Sequence, residues 1–132
     1  TREAAEQDVS KWLDYRKMSE SKRDSLQKDV IDPLITAVEE GLLVVNDDFT
    51  LTQKFQFPIT DSDNVVDLSG VDYSARLQYR DVKRHLKNIK SDDGMGMIHA
   101  HICGLTTQPM AKIELFDMSD LGIARIIASL FL

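Results

Sequence analysis

The stretch FTLTQKFQFPITD, residues 49–61, is the clearest structural signal in the chain because apolar and polar residues alternate along it. The apolar members are Phe49, Leu51, Phe55 and Phe57. A two-residue period is typical of a strand with one buried face. Gln53 interrupts the apolar phase without changing its period. Pro58 has no N–H for a sheet ladder, so we expect the strand to lie at a sheet edge or to end there.

The segments on either side predict partners for this strand. Residues 42–45 are apolar and β-rich, and the Asn46-Asp47-Asp48 turn connects them to the strand as a hairpin. A second turn at residues 60–64 allows residues 65–68 to return antiparallel. After Ser69-Gly70, residues 71–77 alternate again and predict a further short strand. The centre of the chain is therefore predicted to be a small antiparallel β-meander.

The segment before the meander predicts a helical hairpin. Residues 3–18 contain neither glycine nor proline and carry apolar residues at helical spacing. Ser19 or Ser21 can cap a second helix, which Pro33 should kink or restart near Asp32. Gly41 can adopt the left-handed backbone conformation that commonly ends a helix. We therefore expect a helical region over residues 1–45.

The segment after the meander predicts short helices. Apolar residues recur at helical spacing from Tyr79 to Ile89, and six cationic residues against Asp81 alone occupy residues 76–90, which predicts one basic amphipathic helix. A second helix is predicted over residues 97–103, stopped by Gly104, and a short third after Pro109. Ser119 is predicted to cap a last helix that is apolar around most of its circumference and must be buried. The predicted class is α+β, with an N-terminal helical hairpin, a small antiparallel β-meander and a C-terminal bundle of short helices. The meander and the C-terminal helices together form the second region, residues 46–132.

Composition limits the classes of function. The chain has 132 residues and a net charge of −6, which opposes general binding to nucleic acid. Residues 1–48 hold 12 acidic and 7 basic side chains, whereas residues 49–132 hold 10 and 9, so the two regions differ in charge. Cys103 is the only cysteine, no run is long and apolar enough to span a bilayer, and the first residues lack a secretory pattern. We expect a soluble, intracellular protein that does not contact membranes.

No motif predicts catalysis or a cofactor. His99, His101 and Cys103 are spaced so that only His99 and Cys103 share a helix face, and two ligands do not close a zinc site. The turn at residues 61–64 begins like a calcium loop but has Val66 where glycine is needed. Phosphate-binding loops and nucleophile motifs are absent from the sequence. We therefore expect a protein that is not an enzyme and needs neither cofactor nor metal.

Three features are candidates for binding another protein, although each is also a common feature of a folded chain. The aromatic strand could pair through its edge, the basic residues could dock on an acidic partner, and the apolar last helix could be covered by another chain. Core packing or a solvated face is the ordinary explanation in each case. The candidate partner-binding residues are Phe49, Phe55, Phe57, Arg80, Lys83, Arg84, Lys87, Ile123, Ile127, Leu130 and Phe131.

The order of motifs over residues 49–132 resembles that of the tail assembly chaperones of long-tailed bacteriophages, of the myophage and Mu-like type. The resemblance rests on six segments in the same order: residues 55–59, 65–68, 73–77, 79–82, 104–106 and 116–121. Each motif is loose, and the specificity comes from their order and spacing. Residues 1–45 depart from the shorter family pattern, which leaves open an added domain.

The resemblance implies a non-catalytic role in tail morphogenesis. Members of that family organise the tape-measure protein, bind tail-tube subunits and are absent from the finished virion. For this chain the implied partners are therefore a tape-measure protein and a tail-tube protein in the cytoplasm of a bacterial host, with self-association as a further possibility. Two other classes remain open at this point: a structural tail or connector component of the virion, and a small acidic regulatory adaptor that uses the basic residues.

Overall fold

A computed structural model describes all residues 1–132 and shows an α+β fold, as predicted. Seven α-helices and three strands follow one another along the chain, with a π-helical turn between the second and third helices. The helices are α1 (Arg2–Tyr15), α2 (Glu20–Leu26), α3 (Asp32–Glu39), α4 (Tyr79–Lys83), α5 (Gly94–Thr106), α6 (Met110–Ile113) and α7 (Met118–Ser129). The π turn is Gln27–Ile31, and the strands are β1 (Leu43–Val45), β2 (Leu51–Thr60) and β3 (Val66–Tyr73).

The predicted helical hairpin is confirmed, with local chemistry that explains its ends. The Ser19 side chain accepts from the N–H of Lys22 at the start of α2. The π turn and Pro33 at the start of α3 together form the expected restart near Asp32. Gly41 has a φ of +76°, a conformation that glycine adopts without steric cost, and the helix ends before it.

The three strands form an antiparallel sheet in the order β1-β2-β3, which confirms the meander. Leu43 pairs with Gln53, and Thr52 pairs with Asp72. The separate strand predicted after Ser69-Gly70 is wrong, because both halves belong to the single strand β3. The expectation for Pro58 is wrong in part: β2 continues past it to Thr60, and Pro58 lies where the register with β3 is shifted.

Three predictions for the C-terminal part are wrong. The basic helix ends at Lys83. Beyond it the backbone N–H groups of His85, Leu86 and Ile89 bond to the carbonyl three residues earlier, as in tight turns, and Asn88 adopts a left-handed φ of 70°. Gly104 lies inside α5, which ends at Thr106 before left-handed Thr107. The cap of α7 is Asp117, whose carboxylate accepts from the N–H of Ser119 (3.0 Å).

One hydrophobic core joins the helical region to the rest of the chain. A single cluster of 24 buried residues runs from Ala5 in α1 to Leu130 after α7. The indole of Trp12 lies edge-on to Phe131, with ring centroids 5.9 Å apart. The change of composition near residue 45 therefore marks a change of secondary structure within one core. None of the helices has both the length and the apolar character needed to cross a membrane.

Candidate protein-binding surface

Three of the candidate partner-binding residues lie in the core. Phe55 packs edge-on against Phe116, with ring centroids 4.7 Å apart, and its side chain is buried. Ile127 and Leu130 are also buried by the chain itself. The last helix thus needs no other chain to cover these two positions, and a surface role for the three residues is incompatible with the fold.

Phe49 and Phe131 are half-buried and hold the fold together. Phe49 has a φ of 67° in the β1–β2 turn, stacks on Tyr15 at 4.4 Å, and accepts the indole N–H of Trp12 at its carbonyl (3.1 Å). The guanidinium of Arg16 lies 3.6 Å over the ring of Phe131. Ile123 is likewise half-buried and borders a shallow cavity of about 520 Å³ beside Pro33.

Phe57 is the one aromatic residue of the predicted strand that reaches the surface, with 59% of its area exposed. The register shift in β2 turns it outward, although residues of the same parity, such as Gln53 and Phe55, face the core. Its N–H donates to Asp120 Oδ2 (3.1 Å), and that of Gln56 donates to Asp120 Oδ1 (2.9 Å). Asp120 therefore occupies the backbone donors that pairing with another strand would need here.

A buried polar network underlies this arrangement, and the sequence analysis missed its function. The Tyr73 hydroxyl donates to Gln53 Oε1, and Gln53 Nε2 donates to the backbone oxygen of Asp120 (2.9 Å). All three residues are fully buried. Burial, with a smaller effect from Asp120, raises the pKa of the Tyr73 hydroxyl far above its ordinary value. The polar Gln53 on an otherwise apolar strand face was the signal that could have revealed it.

Four of the candidate partner-binding residues lie in residues 76–90, which we call the basic segment. Arg80, Lys83, Arg84 and Lys87 are all exposed. Arg80 lies 3.9 Å from Asp81, and the other three make no ion pair. Burial and the charge of Arg84 lower the pKa of His85, so the positive charge of the segment comes from lysine and arginine.

An apolar groove, which we call the α4–α5 groove, lies beside the basic segment. Its volume is about 310 Å³, and six of its eight lining residues are hydrophobic. These are Leu77, Tyr79, Val82, Leu86, Met97 and Phe131. Helices α4 and α5 approach each other closely at Gly104, where a Cβ would lie 2.9 Å from the carbonyl oxygen of Asp81. The sequence predicted cations beside an apolar stripe in this segment, but it did not predict that Met97 and Phe131 join the stripe to form a groove.

A largely polar concavity of about 1000 Å³ lies between the β1–β2 turn, strand β3 and the end of α5. Its side chains bond mainly to one another: Thr52 donates to Asp72 (2.7 Å), and Thr50 donates to Asp48 (2.6 Å). The hydrogen bonds from Thr50 lower the pKa of Asp48. The cross-strand bonds in this concavity support the sheet.

The two histidines and the cysteine of α5 each have different neighbours. His99 Nε2 accepts from Arg125 Nε (3.2 Å), and the Nδ1 atom of His101 lies 2.7 Å from the carbonyl oxygen of Met97. Cys103 is buried, which raises the pKa of its thiol to about 11. The structure brings together no group of three or more histidine, cysteine, aspartate or glutamate side chains that could hold a metal ion.

Comparison with protein-family models, with curated proteins and with solved structures finds no match to this chain.

Proposed function

We propose that this chain is a non-catalytic protein-binding component, and specifically a phage or prophage tail assembly chaperone. In this proposal it binds the tape-measure protein and tail-tube subunits in the cytoplasm of a bacterial host. The phage assignment is supported by the order of the six motif segments within residues 49–132. Protein binding as such is supported by the surface of the molecule.

The observation that carries the binding function is the basic segment beside the α4–α5 groove. Lys83, Arg84 and Lys87 have no ion partner in the chain, although the molecule is acidic overall. Tyr79 presents 70% of its area to solvent at the edge of the groove. Interfaces commonly combine an apolar centre with a charged rim, and aromatic and arginine side chains are enriched in them.

A second exposed apolar area lies at the far end of the β2–β3 hairpin. Phe57, Val65 and Val66 are each more than half exposed. Lys112 of α6 forms an ion pair with Asp67 and holds this hairpin against the helices. An exposed apolar hairpin end of this kind is suited to a second contact, which a chaperone with two partners needs.

The proposal is tested by purifying the chain with the tape-measure protein encoded near it and with the tail-tube protein. We expect a complex with the tape-measure protein at micromolar concentration, and we expect mass spectrometry of finished particles to lack this chain. The absence of binding to both proteins would contradict the proposal. Finding the chain in finished particles at the stoichiometry of a structural protein would contradict the chaperone role.

A further inference from the structure

We infer that the α4–α5 groove is a docking site for an acidic amphipathic helix of the partner. The inference rests on the proposed function and specifies the chemistry of the segment that is bound. In this arrangement the apolar side of the partner helix fills the groove, and its carboxylates face the basic segment.

The volume and the apolar lining of the groove suit side chains from one face of a helix. Val82 is buried and forms the floor, whereas Leu77, Leu86 and Met97 are half-exposed. A volume of about 310 Å³ is at the small end of ordinary ligand cavities, about 300 to 1,000 Å³. Helices dock in such grooves through apolar anchors at positions i, i+3, i+4 and i+7.

The charge around the groove selects an acidic partner. Residues 76–90 contain six cationic residues and only Asp81 as an acid, in a chain whose net charge is −6. Only Arg80 among these cations has an acid within ion-pair distance. Carboxylates on a docked helix would supply the missing partners and would speed the encounter.

Arg16 provides an independent indication at the Phe131 end of the groove. Its guanidinium lies over the Phe131 ring, and one amino group donates to the carbonyl of Leu130 (3.2 Å). Its Nε atom is buried and has no acceptor. Burial and the nearby charge of Arg76 lower the pKa of Arg16, so two cations lie near each other there. A partner carboxylate near this end of the groove would offset their repulsion.

Two synthetic helical peptides with the same leucine pattern, one with glutamate and one with lysine at the polar positions, test the inference by fluorescence anisotropy. We expect the glutamate peptide to bind the full chain at micromolar concentration and the lysine peptide not to bind. Raising the salt from about 50 mM to about 500 mM should weaken binding about tenfold. Equal affinity for the two peptides would overturn the inference.

Two sets of variants locate the site. The double change Lys83→Glu and Lys87→Glu should weaken binding of the glutamate peptide by at least about tenfold. The matched change Lys11→Glu and Lys22→Glu changes the net charge by the same amount, at exposed positions on α1 and α2. It should leave the affinity for the glutamate peptide within about twofold of the wild-type value. Tyr79→Ser removes a largely exposed ring and should weaken binding of the glutamate peptide. Circular dichroism should show that the variant keeps the wild-type fold. Equal loss in both double variants, or no loss with Tyr79→Ser, would overturn the inference.

Other occupants give distinct results. If the wild-type chain sediments as a dimer and the Tyr79→Ser variant as a monomer, the groove binds a second copy and the inference is wrong. If a single-stranded oligonucleotide displaces the peptide at lower concentration than the unlabelled peptide does, the basic segment binds nucleic acid and the inference is wrong.

The inference and the proposed function can fail separately. If the tape-measure protein binds the Tyr79→Ser and Lys83→Glu/Lys87→Glu variants as tightly as the wild type, the chaperone role stands and the groove assignment fails. If the glutamate peptide binds as described and the tape-measure protein does not bind at all, the groove stands and the chaperone role fails.

Discussion

Asp120 connects the last helix to the shifted part of strand β2. It is fully buried in α7, and its carboxylate accepts two backbone N–H groups from the shifted part of β2. A buried charge is tolerated when its hydrogen bonds are made, and removing it leaves both donors without a partner. This side chain therefore links α7 to the part of β2 in which Phe57 faces outward.

Replacing Asp120 by alanine should lower the free energy of unfolding by about 2 to 4 kcal/mol, because two charge-assisted hydrogen bonds are lost at a buried site. Urea denaturation followed by circular dichroism measures the change. Asp117→Ala, which removes the exposed cap of the same helix, is the control and should cost clearly less. Equal losses in the two variants would show that Asp120 does not hold the strand.

Tyr73 gives the molecule a specific sensitivity to alkaline pH. Its folded pKa is raised by burial above the ordinary value of 10.0, so the folded state keeps the neutral hydroxyl. This contribution is fully present below pH 10 and is lost as the pH rises above it, because only the unfolded state ionises there. We expect the unfolding free energy to fall by up to about 1.4 kcal/mol per pH unit above pH 10 from this group.

The Tyr73→Phe variant should lose the part of the alkaline slope that Tyr73 contributes. It should also be less stable by about 1 kcal/mol at neutral pH, since the hydrogen bond to Gln53 is gone. Tyr79→Phe, at an exposed position, should keep the wild-type slope. Identical slopes in the wild type and both variants, measured by urea denaturation between pH 8 and pH 11, would refute this role of Tyr73.

At the scale of elements, β2 and β3 approach so closely at Gly70 that no side chain fits. A Cβ there would lie 2.2 Å from the carbonyl oxygen of Gln53, a backbone atom that cannot move without disturbing the sheet. Gly70→Ala should therefore destabilise the chain by about 2 kcal/mol or more. Gly122 in α7 has open space around it, so Gly122→Ala should stabilise the chain by up to about 1 kcal/mol. Thermal unfolding of both variants tests the pair, and a stable Gly70→Ala variant would contradict the sheet register.

Elements that depend on neighbours in sequence could be predicted, and those that depend on distant contacts could not. Ser19, Gly41 and the turn at residues 46–48 act within a few residues, so the helical hairpin and the β1–β2 hairpin follow from the sequence. The part of β2 in which Phe57 faces outward is bonded to Asp120, which lies 63 residues from Phe57 in sequence. Helix α4 ends early and is followed by turns, one of which contains left-handed Asn88, a residue type that tolerates this conformation. The apolar residues keep their helical spacing through these turns, so the spacing did not reveal where the helix ends.

The candidate site was predicted in its charges and missed in its shape. The sequence analysis identified Arg80, Lys83, Arg84 and Lys87, which the structure leaves exposed. It did not find the groove, because Phe131 and Met97 join Leu77 only through the packing of three segments. The predicted surface roles of Phe55, Ile127 and Leu130 were wrong because an apolar strand face and an apolar helix have the same pattern whether their own chain or another covers them.

At the scale of the whole molecule, the helical region and the remainder stabilise each other through one core. Trp12 is fully buried and contacts both the β1–β2 turn and the C-terminal segment. A fragment of residues 46–132 would expose this part of the core, so we expect it to lack a cooperative unfolding transition by circular dichroism. The intact chain should unfold in one transition in which Trp12 fluorescence and circular dichroism coincide. A fragment that unfolds cooperatively would show that the two regions have separate cores.

Hydrogen–deuterium exchange of the chain, alone and with the tape-measure protein, tests most directly whether this molecule acts by binding that partner through its basic side. We expect a complex in which residues 76–90 and the segment around Phe131 gain protection, while α1 and α2 exchange as in the free chain. The absence of any complex, or protection confined to α1 and α2, would contradict it.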